Sequence, residues 1–209
     1  MESIEFIKWC LDNLNYWTIT LLMAIESSVI PLPSELVVPP AAYKAAAGEL
    51  NIYLVIFFST LGALLGSLAN YYLAVVIGRP IVYRFANSKF GHMLLLDEEA
   101  IKKTEAFFER NGSISIFTGR LIPGVRHLIS IPAGLSRMNL SKFILYTTLG
   151  AGIWNVILAA IGYYLEAVVP YDQLMLKVDE YSGHLSTVFI VLGVLVFGFI
   201  LYKTIIKSR

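Results

Sequence analysis

Cysteine is almost missing from this chain. Cys10 stands alone among 209 residues, which excludes an internal disulfide framework and any cysteine-based metal cluster. The expectation for Cys10 is an inert thiol near an interface. Charge is scarce as well: Asp, Glu, Lys and Arg make up only 15%, where soluble domains carry about 25%. The net charge of +1 gives no field that would recruit nucleic acid. Walker loops, dinucleotide fingerprints, nucleophile elbows and metal-ligand spacings are all missing. No cofactor or metal is expected, and nothing marks the chain as an enzyme. A cleaved secretory leader is not expected either, because Glu2 and Glu5 stand where such a leader is basic and no small-residue cleavage site follows.

What is abundant is apolar. Hydrophobic residues make up 57% of the chain and its mean hydropathy is +0.70, which points to an integral membrane protein with a single membrane domain. Ile4, Ile7, Leu11 and Leu14 recur at helical spacing, as in an amphipathic helix lying in the headgroup region with Trp9 and Trp17 as anchors. The following apolar run is interrupted by Glu26 and Glu35 and by Pro31, Pro33, Pro39 and Pro40. A span needs about 20 apolar residues, so residues 16–47 read as a re-entrant helical hairpin. Residues 52–78 are uncharged and 27 long, about 40 Å of helix, and Arg79-Pro80 is expected to end them. Residues 79–111 read as a polar cytoplasmic connection whose 97–110 part is an amphipathic helix, stopped at Asn111-Gly112. Residues 113–136 repeat the broken pattern around Arg120, Pro123, Arg126 and Pro132, residues 143–165 form a second span, and residues 185–202 a third.

The two halves resemble each other. Ile30-Pro31 and Ile122-Pro123 match at an offset of 92, and Thr60-Leu-Gly-Ala63 matches Thr148-Leu-Gly-Ala151 at an offset of 88. Six Lys/Arg in residues 79–111, with Lys203, Lys207 and Arg209 in the tail, orient the chain with its N-terminus outside and its C-terminus cytoplasmic. The expected fold is therefore all-α: an inverted repeat of amphipathic helix, re-entrant hairpin and transmembrane helix, plus one C-terminal transmembrane helix. The first repeat covers about 3–78 and the second about 97–165. Such repeats build a midplane site from discontinuous helices.

Four charged side chains at membrane depth need partners, since each costs roughly 2.5–3.5 kcal/mol on insertion scales. Glu26 and Glu35 balance Arg120 and Arg126. One reading is a buried salt-bridge set that locks the hairpins together. The other is an anion site: the arginine fork binds phosphate bidentately, broken helices aim N–H groups at the same anion, and Gly119 and Gly124 let backbone approach it. A carboxylate that titrates near neutrality there would couple movement to protons. Pro31, Pro33 and Pro123 shape the breaks. His127 is either a proton shuttle or a backbone-bonded histidine. Asn70 and Asn155 read as interhelical hydrogen-bonding residues, with a supporting site role open for Asn155. Tyr71, Tyr72, Tyr163 and Tyr164 read as interfacial anchors. Gly62-Ala-Leu-Leu-Gly66 fits helix packing within the subunit, and a homo-oligomer is left open.

Glu26 with the following Pro-Leu-Pro-Ser-Glu35, Phe117-Thr-Gly-Arg120 running into Ile-Pro-Gly-Val-Arg126, and Pro132-Ala-Gly134 resemble the DedA family of bacterial inner-membrane proteins. Their shared region is also called the SNARE-associated or VTT domain. The resemblance covers roughly residues 15–165. It implies a lipid transporter, flippase or scramblase moving a phosphate-bearing lipid such as undecaprenyl phosphate or phosphatidylethanolamine, with links to proton-motive force. It also implies that Glu26 and Glu35 are the family's essential acids, for gating or proton coupling, and that Arg120 and Arg126 are its essential arginines. In some members the second acid is an aspartate. A proton-coupled small-solute transporter or antiporter, a lipid-phosphate enzyme and a structural membrane protein are the alternatives.

Overall fold

The computed structural model describes residues 9–28, 33–78, 111–122 and 128–174, with Ile7, Pro80, Ile81, Val125, Arg126 and scattered positions from 176 to 191. Pro31, Pro123, Gly124 and His127, the 97–110 helix and most of the 185–202 span lie outside the described residues. The described residues are all-helical and include no strand. Helix α1, Tyr16–Glu26, starts at a capping box: Asn15 Oδ1 accepts from the Trp17 and Thr18 amides, and the Asn15 amide donates to Thr18 Oγ1. A 3-10 turn, Ser34–Leu36, leads into α2, Val38–Ala46. Pro39 and Pro40 open α2 rather than break it, because the first turn of a helix has no intrahelical use for their missing N–H groups. Gly48, at φ 86, supplies the left-handed residue that ends the turn after α2.

Helix α3, Ile52–Leu73, is capped by the Asn51 side chain and runs on through a π turn, Ala74–Gly78. The span ends at Gly78, next to the expected stop at Arg79-Pro80, and Pro80 and Ile81 are helical beyond it. The proline ring excludes the carbonyl four residues before it, and the turn at that place is the widened one. Residues 111–121 are helical too (α4), so Asn111-Gly112 does not end a helix as its composition suggests. Gly112, Ile116, Gly119 and Arg120 share the buried face of α4, and packing that face outweighs the roughly 1 kcal/mol penalty of a helical glycine. Short α5, Ser130–Leu135, precedes α6, Leu140–Glu166, which the Asn139 side chain caps.

Two helices, Ile52–Gly78 and Leu140–Glu166, are long and apolar enough to cross a membrane. Each buries little more than a third of its most apolar window, and the rest of the surface is apolar as well, including Phe57, Leu65, Val76, Leu149 and Val156. Water-facing helices reverse that pattern. The short helices pack on the long ones. Helix α1 lies on α3 and α2 on α6, while α5 lies on α3 and α4 reaches α6 through Phe117 and Arg120.

Glycines set these crossings. A Cβ on Gly62 or Gly66 would meet the Thr20 or Ala24 carbonyl oxygen at 2.3 or 2.2 Å, and one on Gly162 would meet the Pro39 carbonyl oxygen at 2.2 Å. The GxxxG pair therefore seats α1 inside the subunit. Tyr71 is not an interfacial anchor. It is buried, stacked obliquely on Phe143 at 4.8 Å, and donates to the Met138 carbonyl at 2.6 Å. Tyr72, Tyr163 and Tyr164 are exposed, as are Trp9 and Trp17.

Such close crossings leave no room for a methyl group. Gly162→Ala should lower stability by about 1–3 kcal/mol because backbone cannot yield to the added atom. Gly152→Ala meets nothing closer than 3.8 Å and should leave the thermal midpoint unchanged or raised. Burial pushes the Cys10 thiol above its ordinary pKa, so its thiolate is depleted at neutral pH. Maleimide should label Cys10 slowly at pH 7 in the folded protein and quickly once it is denatured.

Candidate functional site

The four charged residues come from the ends of short helices and from turns. Glu26 is the last residue of α1, Glu35 sits in the 3-10 turn, Arg120 is one residue from the end of α4, and Arg126 lies in the turn after α4. Helix ends leave backbone groups unsatisfied, and polar side chains gather where that happens. Glu26, Arg120 and Arg126 are buried, and Glu35 nearly so.

Three of the four meet. Arg126 Nη2 lies 3.3 Å from Glu26 Oε1 and 3.3 Å from Glu35 Oε2. Its guanidinium stacks 5.1 Å above the Trp154 ring, a cation–π contact that gains strength from being out of water. Trp154 in turn donates from Nε1 to Ser34 Oγ at 3.3 Å. Glu26 accepts from Ser27 Oγ at 2.6 Å, and Asn70 on α3 donates to the Ser27 carbonyl at 3.1 Å. Glu26 and Glu35 are thereby held to Arg126 by contacts that run from α1 through α3 to α6.

Arg120 is held differently. Its Nη2 donates to Ser67 Oγ on α3 and, at 2.8 Å, to Ser130 Oγ at the start of α5. Among the described residues it makes no ion pair. Arg120 Nε, Arg126 Nε and Arg126 Nη1 are buried without a hydrogen-bond partner among the described residues. Both arginines line one cavity of about 20 Å³, together with Glu26, Ser34, Trp154 and Asn155. That is room for about one water molecule. Orphaned donors on a charged group are expensive, at more than the 1–3 kcal/mol of a neutral one. Three such donors lie on two guanidiniums that line the same cavity.

Some expected contributors serve elsewhere. Gly119 does not offer backbone to a ligand; a Cβ there would meet Ile129 Cγ1 at 2.9 Å, so its bareness lets the turn fold back on α4. The N-termini of α2 and α5 are also poor anion donors. Pro39 and Pro40 remove N–H groups from the first turn of α2, and α5 has six residues with Pro132 among its first three. Pro33 is exposed and precedes the 3-10 turn. Asn155 lines the cavity and bonds across to Thr60 Oγ1 of α3 at 3.2 Å. Ser27, Ser34, Ser67, Ser130 and Trp154 join the site without having been singled out from the sequence. Trp154 carried a signal, since tryptophan favours the ends of a span and this one lies near the middle of α6. The serines carried none, because small hydroxyl residues are common in packed spans.

Removing Arg126 takes away the cation that Glu26 and Glu35 share. Arg126→Ala should destabilise the protein by about 3–5 kcal/mol. The triple variant Arg126→Met/Glu26→Gln/Glu35→Gln should recover most of that loss. Thermal unfolding in detergent reads both.

Residues 32–164 match the family model described as "VTT domain", a stretch that contains Glu35, Arg120 and Arg126. The chain is 33% identical over 206 residues to a protein of Lactococcus lactis subsp. cremoris named "Alkaline phosphatase-like protein", covering 98% of this chain and 92% of that one. It is 30% identical over 205 residues to "Undecaprenyl phosphate transporter A" of Bacillus subtilis, covering 98% and 94%. To "Protein DedA" of Escherichia coli it is 26% identical over 167 residues, covering 78% and 73%. No solved structure matches. With a family match over more than half the chain and relatives aligned nearly end to end, this protein belongs to the VTT-domain, or DedA, family of membrane proteins.

Proposed function

We propose that the protein carries a phosphate-bearing lipid, such as undecaprenyl phosphate or phosphatidylethanolamine, between membrane leaflets, with Arg120 and Arg126 binding the phosphate. The observation that supports this most directly is the set of three unpartnered guanidinium nitrogens on two residues lining one cavity. Guanidinium forks match phosphate oxygens in geometry and charge. The transporter named in Bacillus subtilis, and another of the same name in Staphylococcus aureus at 30% identity over 193 residues, lend the substrate class.

The architecture supports the same reading. Helices α1 and α2 have 11 and 9 residues, about 16 and 14 Å at 1.5 Å per residue. Neither crosses a hydrocarbon core of about 30 Å, which favours re-entrant arms. Each long helix receives one arm from each hairpin, as expected of two interlocked repeats of opposite orientation. We place the chain in the bacterial inner membrane with its N-terminus outside and its C-terminus cytoplasmic. Glu26 and Glu35 gate the site by holding Arg126. Protonation of either would release that arginine and couple exchange to the proton gradient. Glu35, the less buried of the two, is the better placed to exchange a proton.

A second reading is hydrolysis of a lipid phosphate, which the name of the Lactococcus relative suggests. Ser27, which lines the cavity and whose hydroxyl donates to Glu26, would then be the candidate nucleophile. Purified protein in vesicles with a fluorescent phosphatidic acid separates the two. Transport predicts faster leaflet exchange with no inorganic phosphate released, and release that depends on Ser27 would establish the enzyme instead. Arg120→Ala and Arg126→Ala should each abolish exchange while the protein remains inserted. Arg→Lys at either position should impair it more than charge alone explains, because the fork is lost. Exchange that ignores pH and a protonophore would remove the proton coupling.

A further inference from the structure

The two arginines are gripped by chemically different partners. Arg126 gives Nη2 to two carboxylates, whereas Arg120 gives Nη2 to two hydroxyls. If both bind phosphate as proposed, that contrast divides the work between them. A guanidinium NH2 group has two hydrogens, so Ser67 and Ser130 take up Nη2 and fix the plane of the Arg120 guanidinium, leaving Nε, which has no partner among the described residues, to meet an anion. Ser67 donates its own proton to the Ala63 carbonyl, which turns its lone pairs toward Arg120. Both serines are fully buried, so water does not compete for these bonds. A serine pair orients a cation without neutralising it.

The two side chains also differ in what carries them. Arg120 is carried by a helix, and its Cβ packs where a Cβ on Gly150 of α6 would lie 2.7 Å away. Arg126 is carried by the turn between α4 and α5. The cavity between them holds about one water at about 20 Å³, too little for a phosphate group, so one wall must move before a phosphate enters. We infer that Ser67 and Ser130 are positioning residues that hold Arg120 as the fixed receptor for a phosphate group, and that Arg126, latched to Glu26 and Glu35 against Trp154, is the wall that moves. This division of roles rests on the phosphate-binding function proposed for the pair.

The test is a saturation measurement in proteoliposomes, with fluorescent phosphatidic acid as the lipid probe and radiolabelled inorganic phosphate as the soluble one. For whichever probe the wild type moves, Ser67→Ala/Ser130→Ala should raise the half-saturating amount about tenfold or more, in line with loss of hydrogen bonds to a charged group. The maximum rate should be unchanged. Each single variant, Ser67→Ala and Ser130→Ala, should shift the same parameter by a smaller amount, which keeps the test available if the double variant folds poorly. Glu35→Gln should change the maximum rate instead. Half-saturation equal to wild type in the serine variants, or a parallel fall of rate, affinity and thermal midpoint, overturns the positioning role. If Arg120→Ala itself moves both probes normally, the phosphate-binding function fails and takes this inference with it.

Discussion

One guanidinium held between two carboxylates organises the middle of this protein. Arg126 comes from the second half of the chain, and Glu26 and Glu35 come from the first. The bridge therefore ties the turn after α4 to the end of α1 and to the turn before α2. Buried ion pairs add little net stability, because the desolvation of both partners offsets their attraction. Their breakage, however, leaves a charge where it cannot be solvated. Under the proposed function the bridge would serve as a latch: weak as glue, strict about its partners, and released when one carboxylate is neutralised or a better anion arrives.

The packing around the latch makes such a device workable. Glycines at 62, 66, 134 and 162 let short helices press against the backbone of others, so the helices that carry the charged residues are firmly placed. Arg120 shares that rigidity through its contact with α6 at Gly150. The result is an asymmetric pair of identical side chains, one set in a packed helix and clamped by neutral hydroxyls, the other on a turn and neutralised by acids. Under the inference drawn above, selectivity and gating would fall to different residues of the same type.

Much of this could be read from the residues alone. Charges inside apolar runs are so unfavourable that Glu26, Glu35, Arg120 and Arg126 had to find partners, whereas Pro39 and Pro40, read as breaks, open α2 instead. Which acid meets which arginine was not legible, because it depends on the packing of short helices against the other half of the chain. Asn111-Gly112 misled for a local reason: the pair is a good helix stop by propensity, yet Gly112 sits on the buried face of α4. Tyr71 misled because an aromatic near the end of a span can face the protein as well as the interface, and only its bond to Met138 decides. Serines that clamp an arginine look like any other small residue of a packed span.

The most direct measurement of the central claim is an experimental structure of the protein in a lipid bilayer with a phosphate-headgroup lipid bound. The account predicts phosphate oxygens about 3 Å, hydrogen-bonding distance, from Arg120 and Arg126, with at least one of Glu26 and Glu35 no longer touching Arg126. A headgroup bound elsewhere, with the Glu26–Arg126–Glu35 bridge closed and the cavity still the size of one water, would contradict it.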